Sequence, residues 1–211
     1  MNILECKNLT IGYGSDIVQS CISFNIEKGS YILIKGDNGV GKSTLIKTIL
    51  GVIPPISGEM IKELTSIGYL PQQKPIQNSF PTIVKEVVMM GLQRNNKFFY
   101  SKEDKTTIDN VLKRVGIYDL RNKRFSKLSG GQQQKVLLCR ALNISQSFLI
   151  LDEPVTGLDK ESTNNLYQLI KELNDNGTTI MMISHDNDKI EGITHILNIN
   201  KDGVTLSNTG E

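Results

Sequence analysis

The stretch that most constrains this chain is YILIKGDNGVGKSTLIKTIL, residues 31–50. Tyr31–Ile34 is a continuous apolar run, the pattern of a parallel strand buried on both faces. LIKTIL, at 45–50, reads as an apolar helix. Between them stands G-x-x-x-x-G-K-[ST], in the strand–loop–helix context that this motif needs. Gly36, Gly39 and Gly41 let backbone N–H groups wrap phosphate oxygens. Asp37, Asn38, Val40 and Thr44 complete the cradle. Lys42 is placed to reach the β- and γ-phosphates, and Ser43 to ligate Mg²⁺. A glycine-rich turn beside a solvated lysine would need neither flank.

Two more runs, FLIL (148–151) and TIMMI (179–183), are also continuously apolar, whereas ISFNI (22–26) alternates like a half-exposed strand. Helical patterns follow the runs at 31–34 and 148–151, which is α/β organisation. HILNI, then Asp202-Gly203, then VTL reads as a terminal hairpin with that dipeptide as its turn. From about Lys74 to Leu142 there is no convincing buried strand. TIVKEVVMMGL and TTIDNVLKRVGI carry apolar residues at helical spacing, with Ile108, Val111, Leu112 and Val115 on one face. The expected organisation is one domain, 1–211. An α/β core (about 1–73 and 143–211) is interrupted by a helical subdomain (about 74–142). RNNKFFYSKEDK (94–105) is the most loop-like piece, and its Phe98, Phe99 and Tyr100 read either as subdomain core or as a partner-facing patch.

The chain has 211 residues, 38% of them hydrophobic, enough for one well-buried domain. A net charge of +2 gives no reason to expect a nucleic-acid partner. Cys6, Cys21 and Cys139 are odd in number and far apart, which disfavours a disulfide framework or zinc site. The N-terminus lacks a basic-then-apolar signal pattern, and no apolar run approaches the ~20 residues of a membrane span.

A magnesium site beside the phosphate loop needs a ligand from the sheet, and FLILDEP supplies it. Asp152 and Glu153 stand at the carboxyl end of a strand, where such sheets bind ligands. Asp152 is expected to hold Mg²⁺ through water, and Glu153 to act as general base on the attacking water. His185, just after TIMMI, lies at another strand end and reads as a γ-phosphate contact. His195 keeps a structural reading.

One more stretch, SKLSGGQQQK (126–135), looks like a second phosphate cradle. Ser129 and Gln132 have capping-box spacing, and Gly130 and Gly131 leave N–H groups uncovered.

In this order the pieces resemble the ATP-binding cassette (ABC) family of ATPases over essentially the whole chain. LSGGQ (128–132), LDEPVTGLD (151–159) and ISHD (183–186) make the resemblance specific. It implies an α/β P-loop NTPase core with an N-terminal antiparallel β portion and an inserted helical subdomain. It implies ATP and Mg²⁺ as cofactors, and two subunits packed head to tail. Ser129, Gly130, Gly131 and Gln132 of one subunit then face the γ-phosphate held by Lys42 of the other, and Asp159 crosses the interface. Tyr13 matches the aromatic that stacks on adenine. Gln72 matches the glutamine that links the Mg²⁺ site to the helical subdomain, although Gln73 is adjacent. Cys139 stands where a small residue is common.

NSFPTIVKEVVMMGL (78–92), together with LSGGQQQKVLLCRAL (128–142), most resembles bacterial importers of zinc, manganese or iron. SFPT reads equally as a helix started by proline. The resemblance implies integral membrane permease partners, an extracytoplasmic substrate-binding protein acting indirectly, and a peripheral place on the cytoplasmic face of the membrane. The sequence ends soon after its hairpin, so the expectation is a transporter subunit without an appended regulatory domain. Another cargo such as an iron chelate, export, or a soluble non-transport ATPase are the competing expectations.

Overall fold

The computed structural model describes residues 1–72, 82–92, 101–184 and 190–209. Two long strands, β1 (Asn2–Tyr13) and β2 (Asp16–Glu27), lead into β3 (Tyr31–Lys35) and α1 (Lys42–Ile49). Two shorter strands follow, β4 (Ser57–Lys62) and β5 (Gly68–Leu70). Then come α2 (Val84–Met89), α3 (Lys102–Arg114) and α4 (Gly130–Ile144). The chain returns to alternation with β6 (Phe148–Asp152), α5 (Lys160–Asp175), β7 (Thr179–Ile183), β8 (His195–Asn200) and β9 (Gly203–Asn208).

The central sheet has the order β5-β6-β7-β3-β8-β9. Its first five strands are parallel, and β9 returns antiparallel to β8. The period of two along a strand explains why the apolar runs are continuous. Tyr31 and Leu33, Leu149 and Leu151, and Ile180 and Met182 face one apolar cluster, with α2–α5. Ile32 and Ile34, Phe148 and Ile150, and Met181 and Ile183 face the other, with α1, β1 and β2. Both faces are covered, so the interior positions of these strands are apolar and polar residues are left to their ends, as Lys35, Asp152 and Thr179 are. Fully burying one such side chain stabilises by about 1.5–3 kcal/mol.

The cover on the second face is an antiparallel sheet, β2-β1-β4. β2 extends well beyond the alternating segment 22–26. The cover on the first face includes the helical stretch. Ile108, Val111, Leu112 and Val115 are all buried there, the face expected from their spacing. α4 touches α2, α3, α5 and β5, so the helices share one apolar cluster with the sheet. No helix among the described residues is long and apolar enough to cross a membrane.

Several expectations need correction. β4 and β5 carried no sequence signal strong enough to expect them. The segment 94–105 is not loop to its end. Ser101 accepts from the Asp104 amide at 3.0 Å, Asp104 Oδ2 accepts from the Ser101 amide at 2.7 Å, and this reciprocal cap starts α3 at Lys102. Phe98, Phe99 and Tyr100 lie outside the described residues. Pro81 lies outside the described residues; α2 starts at Val84, and Glu86 accepts from the Ile83 amide and the Thr82 hydroxyl, each at 3.0 Å. In the last hairpin Asn200 pairs with Gly203, so the turn is Lys201-Asp202 rather than Asp202-Gly203. Asn200 Oδ1 accepts from the Asp202 amide at 2.9 Å and closes that turn.

Candidate active site

Ile183, the last residue of β7, pairs with Ile34 on one side and Asp152 on the other. The glycine loop after β3 and the acidic end of β6 therefore flank the end of β7. They lie two strand spacings apart, roughly 10 Å. The cleft between them has a volume of about 690 Å³, and Tyr13, Val18, Lys42, Ser43, Gln72 and Asp152 are among its walls.

The loop is shaped by backbone that glycine allows: φ is 151° at Gly36, 80° at Gly39 and 113° at Gly41. A Cβ on Gly41 would lie 2.8 Å from Val18 Cγ1. Lys42 is buried, and its Nζ donates to the Gly36 carbonyl at 2.7 Å and the Asp37 carbonyl at 2.8 Å. Two of the three ammonium N–H bonds thus centre the charge in the loop. Ser43 is exposed at the first turn of α1, whereas Thr44 is buried.

Across the cleft, burial pushes the Asp152 carboxyl above its ordinary range, and Tyr69 donates to its Oδ2 at 3.3 Å. Burial likewise raises the Tyr69 phenol, to about 12, so it remains a donor. Glu153 has φ 47°, and its amide donates to the Ile183 carbonyl at 3.0 Å. Its Oε2 accepts from Gln72 Nε2 at 2.6 Å and from Thr156 Oγ1 at 3.0 Å. Tyr13 stands at the rim, 48% exposed, with Lys47 Nζ donating to its hydroxyl at 3.3 Å. Hydrogen bonds with Thr44 and then Lys47 hold the Tyr13 phenol below its ordinary range.

His185 and Gln73 lie outside the described residues. Ser184, just before His185, is buried with its hydroxyl 2.9 Å from that of Tyr167, which anchors the end of β7.

The capping box at Ser129 and Gln132 forms as its spacing predicts. Ser129 Oγ accepts from the Gln132 amide at 3.3 Å, and Gln132 Oε1 from the Ser129 amide at 3.2 Å. Gly131 also has a packing reason. A Cβ there would come within 2.8 Å of Ser162 Oγ on α5. Asp159 caps α5 from the same surface. Its Oδ1 accepts from the Ser162 amide at 2.8 Å and its Oδ2 from the Ser162 hydroxyl at 2.7 Å, and these bonds hold the carboxyl below the usual range. A groove of about 410 Å³ runs past Ser129, Gly131 and Gln132 to Lys135 and Asn165. Among the described residues it shares no lining residue with the cleft at Lys42.

The residue types suit a magnesium nucleotide. A serine hydroxyl and one carboxylate leave the other ligand positions to phosphate and water oxygens, as Mg²⁺ prefers. Among the described residues no group of three His, Cys, Asp or Glu makes an all-protein metal cage. Val18, Gln19, Tyr69 and Thr156 belong to this site and were not singled out from sequence. Thr156 had a signal in standing three residues after Glu153.

A glycine loop capping a buried strand, facing an Asp-Glu pair one strand removed, defines a P-loop nucleoside triphosphatase. The family profile described as ABC transporter matches residues 20–156. The chain belongs to that family, and its activity is ATP hydrolysis. It is 38% identical to the zinc uptake system ATP-binding protein ZurA of Listeria innocua, over 94% of this chain and 83% of that protein. It is 37% identical to the manganese transport system ATP-binding protein MntB of Bacillus subtilis, over 87% of this chain and 77% of that one. A solved structure described as an inward-facing, metal-chelate type ABC transporter superposes with a TM-score of 0.88 at 27% identity, covering 100% of this chain and 84% of that chain. The α/β P-loop core, the antiparallel β portion and the helices are therefore the ABC ATPase fold.

Proposed function

We propose that this chain is the energy-coupling ATPase of an importer for a divalent metal ion: zinc, manganese or iron. The observation that carries the cargo is the similarity to zinc and manganese transport ATP-binding proteins over most of the chain. The chain acts as a head-to-tail pair on integral membrane permease subunits, at the cytoplasmic face of the membrane. A substrate-binding protein outside delivers the metal.

The roles proposed for the site residues rest on this geometry and, for His185, on its place in the sequence alone. Backbone N–H groups of Gly36–Thr44 hold the phosphates, and Lys42 neutralises their charge. Tyr13 stacks on adenine from the rim. Ser43, Asp152 and Gln72 would hold Mg²⁺, which would offset charge on the phosphate oxygens. Tyr69 orients Asp152 through its hydroxyl. Gln72 and Thr156 fix the Glu153 carboxylate, which takes the proton of the attacking water. His185 contacts the γ-phosphate. Ser129–Gln132 and Asp159 meet the partner's nucleotide from the capped ends of α4 and α5.

The test is reconstitution of the chain with its co-purifying permease in vesicles, with the binding protein and labelled zinc, manganese or iron. ATP-dependent uptake of one metal, lost with Glu153→Gln, is expected. Failure to retain any permease would refute the transport reading. Uptake of a metal chelate but no free ion would favour the second cargo, to which the similarity with the metal-chelate type transporter points.

A further inference from the structure

Gln19 sits on β2 where alternation would not put it. Ile22, Phe24 and Ile26 are buried, so an odd-numbered neighbour should face solvent. But Leu9 pairs with Ile22 and Ile11 with Gln19, so two steps along β1 oppose three along β2. The extra residue makes a β-bulge, with Cys21 at φ 55°. The bulge turns Gln19 inward, and it is 7% exposed. Its Nε2 donates twice, to the Val40 carbonyl at 3.0 Å and to the Asn200 carbonyl at 2.7 Å. Both N–H bonds of the amide are therefore spent on backbone, one in the phosphate loop and one at the end of β8.

The bond to Val40 has a geometric consequence. In a planar trans peptide, the carbonyl of one residue and the N–H of the next point in opposite directions. Holding the Val40 carbonyl toward β2 turns the Gly41 N–H away from β2. Gly41 lines the cleft and has φ 113°. A glycine admits either hand of backbone at little cost, so the Val40–Gly41 peptide is free to turn over unless something outside the loop clamps it.

We propose that Gln19 is a positioning residue for the phosphate loop. It fixes the Val40–Gly41 peptide so that the Gly41 N–H is presented to the nucleotide's β- and γ-phosphates, and its bond to Asn200 ties that peptide to the central sheet. The proposal rests on the reading of residues 36–44 as the ATP site.

Gln19→Leu keeps the bulk and removes both hydrogen bonds. Affinities for ATP, ADP and AMP are measured by calorimetry, with amide hydrogen exchange at Gly41 and the thermal midpoint. ATP and ADP should each bind roughly tenfold more weakly, the worth of one or two hydrogen bonds. AMP, which lacks the outer phosphates, should bind nearly as before, and the Gly41 amide should exchange faster. A residue that only ties the sheets together would lower the midpoint and leave the ATP-to-AMP affinity ratio unchanged, and that result overturns the proposal. Gln19→Glu is the second variant: two carbonyls facing a carboxylate should weaken ATP more than leucine does, with recovery at lower pH as the carboxyl gains a donor proton. If neither variant moves the ratio while Lys42→Ala abolishes ATP binding, the role of Gln19 is refuted and the loop assignment stands. If Lys42→Ala also binds ATP normally, the loop assignment itself is refuted.

Discussion

At Glu153 a non-glycine residue is held at φ 47°, a conformation that costs about 1–3 kcal/mol and persists only where neighbours over-determine it. Here Ile183, Gln72 and Thr156 do so. Glu153→Gln keeps an acceptor for both side-chain partners, so the variant should fold and bind ATP. Phosphate release should slow by roughly 10²–10⁴-fold, the usual contribution of a general base; undiminished turnover would remove Glu153 from the mechanism. A second residue-scale prediction concerns the thiols. Burial raises Cys6 from 9.0 to about 12 and pushes Cys139 up as well, and Cys21 is the exposed thiol. Iodoacetamide on the folded protein at pH 8 should add one label, at Cys21, by intact and peptide mass. The Cys6 shift also has a sign for stability. The unfolded thiol ionises near 9.0 and the folded one near 12, so its contribution is full below pH 9 and is lost as pH climbs between those values. Cys6→Val should flatten that alkaline loss in denaturation curves. Lys42, Ser43, Asp152 and Glu153 were legible in sequence because each follows an unmistakable apolar run. Gln19 was not, because one bulged residue inverts the parity on which strand reading depends.

Among the described elements, α4 joins several parts of the molecule. Its first turn carries the second cradle, and its length packs on α2, α3, α5 and β5. Its capping box was legible from four residues, since the chemistry is local. β5 was not: three residues, Gly68–Leu70, are defined by pairing with Leu149–Leu151, a partner eighty residues away that no local pattern announces. β4 begins Ser57-Gly58 and is exposed over most of its length, so its apolar alternation is faint. Ser129→Arg tests the element. Losing the cap costs about 1 kcal/mol, too little to unfold a domain of this size. The variant should keep its thermal transition and bind ATP at its own Lys42, yet fail to close and to hydrolyse. Two Ser129→Arg copies that still trapped nucleotide, in a Glu153→Gln background, would show that LSGGQ does not read the partner's ATP.

For the whole molecule, the central sheet with both faces covered was legible from its three apolar runs, because full burial leaves no room for polar alternation. The antiparallel sheet was foreseen only as an N-terminal β portion, since its strands are half-exposed and bulged. On the proposed pairing, a mixed dimer of one Ser129→Arg and one Lys42→Ala chain places both faults in one composite site. It should trap a single nucleotide, and trapping of none would contradict the pairing. Among the described residues the cleft at Lys42 and the groove at Ser129 share no lining residue, and on the proposed pairing each nucleotide needs the cradle of a second copy. Hydrolysis by the isolated chain should then follow second-order kinetics at low concentration. Tenfold dilution should cut the rate per volume about a hundredfold and the specific activity tenfold, until the membrane subunits, by holding two copies side by side, make the rate indifferent to dilution.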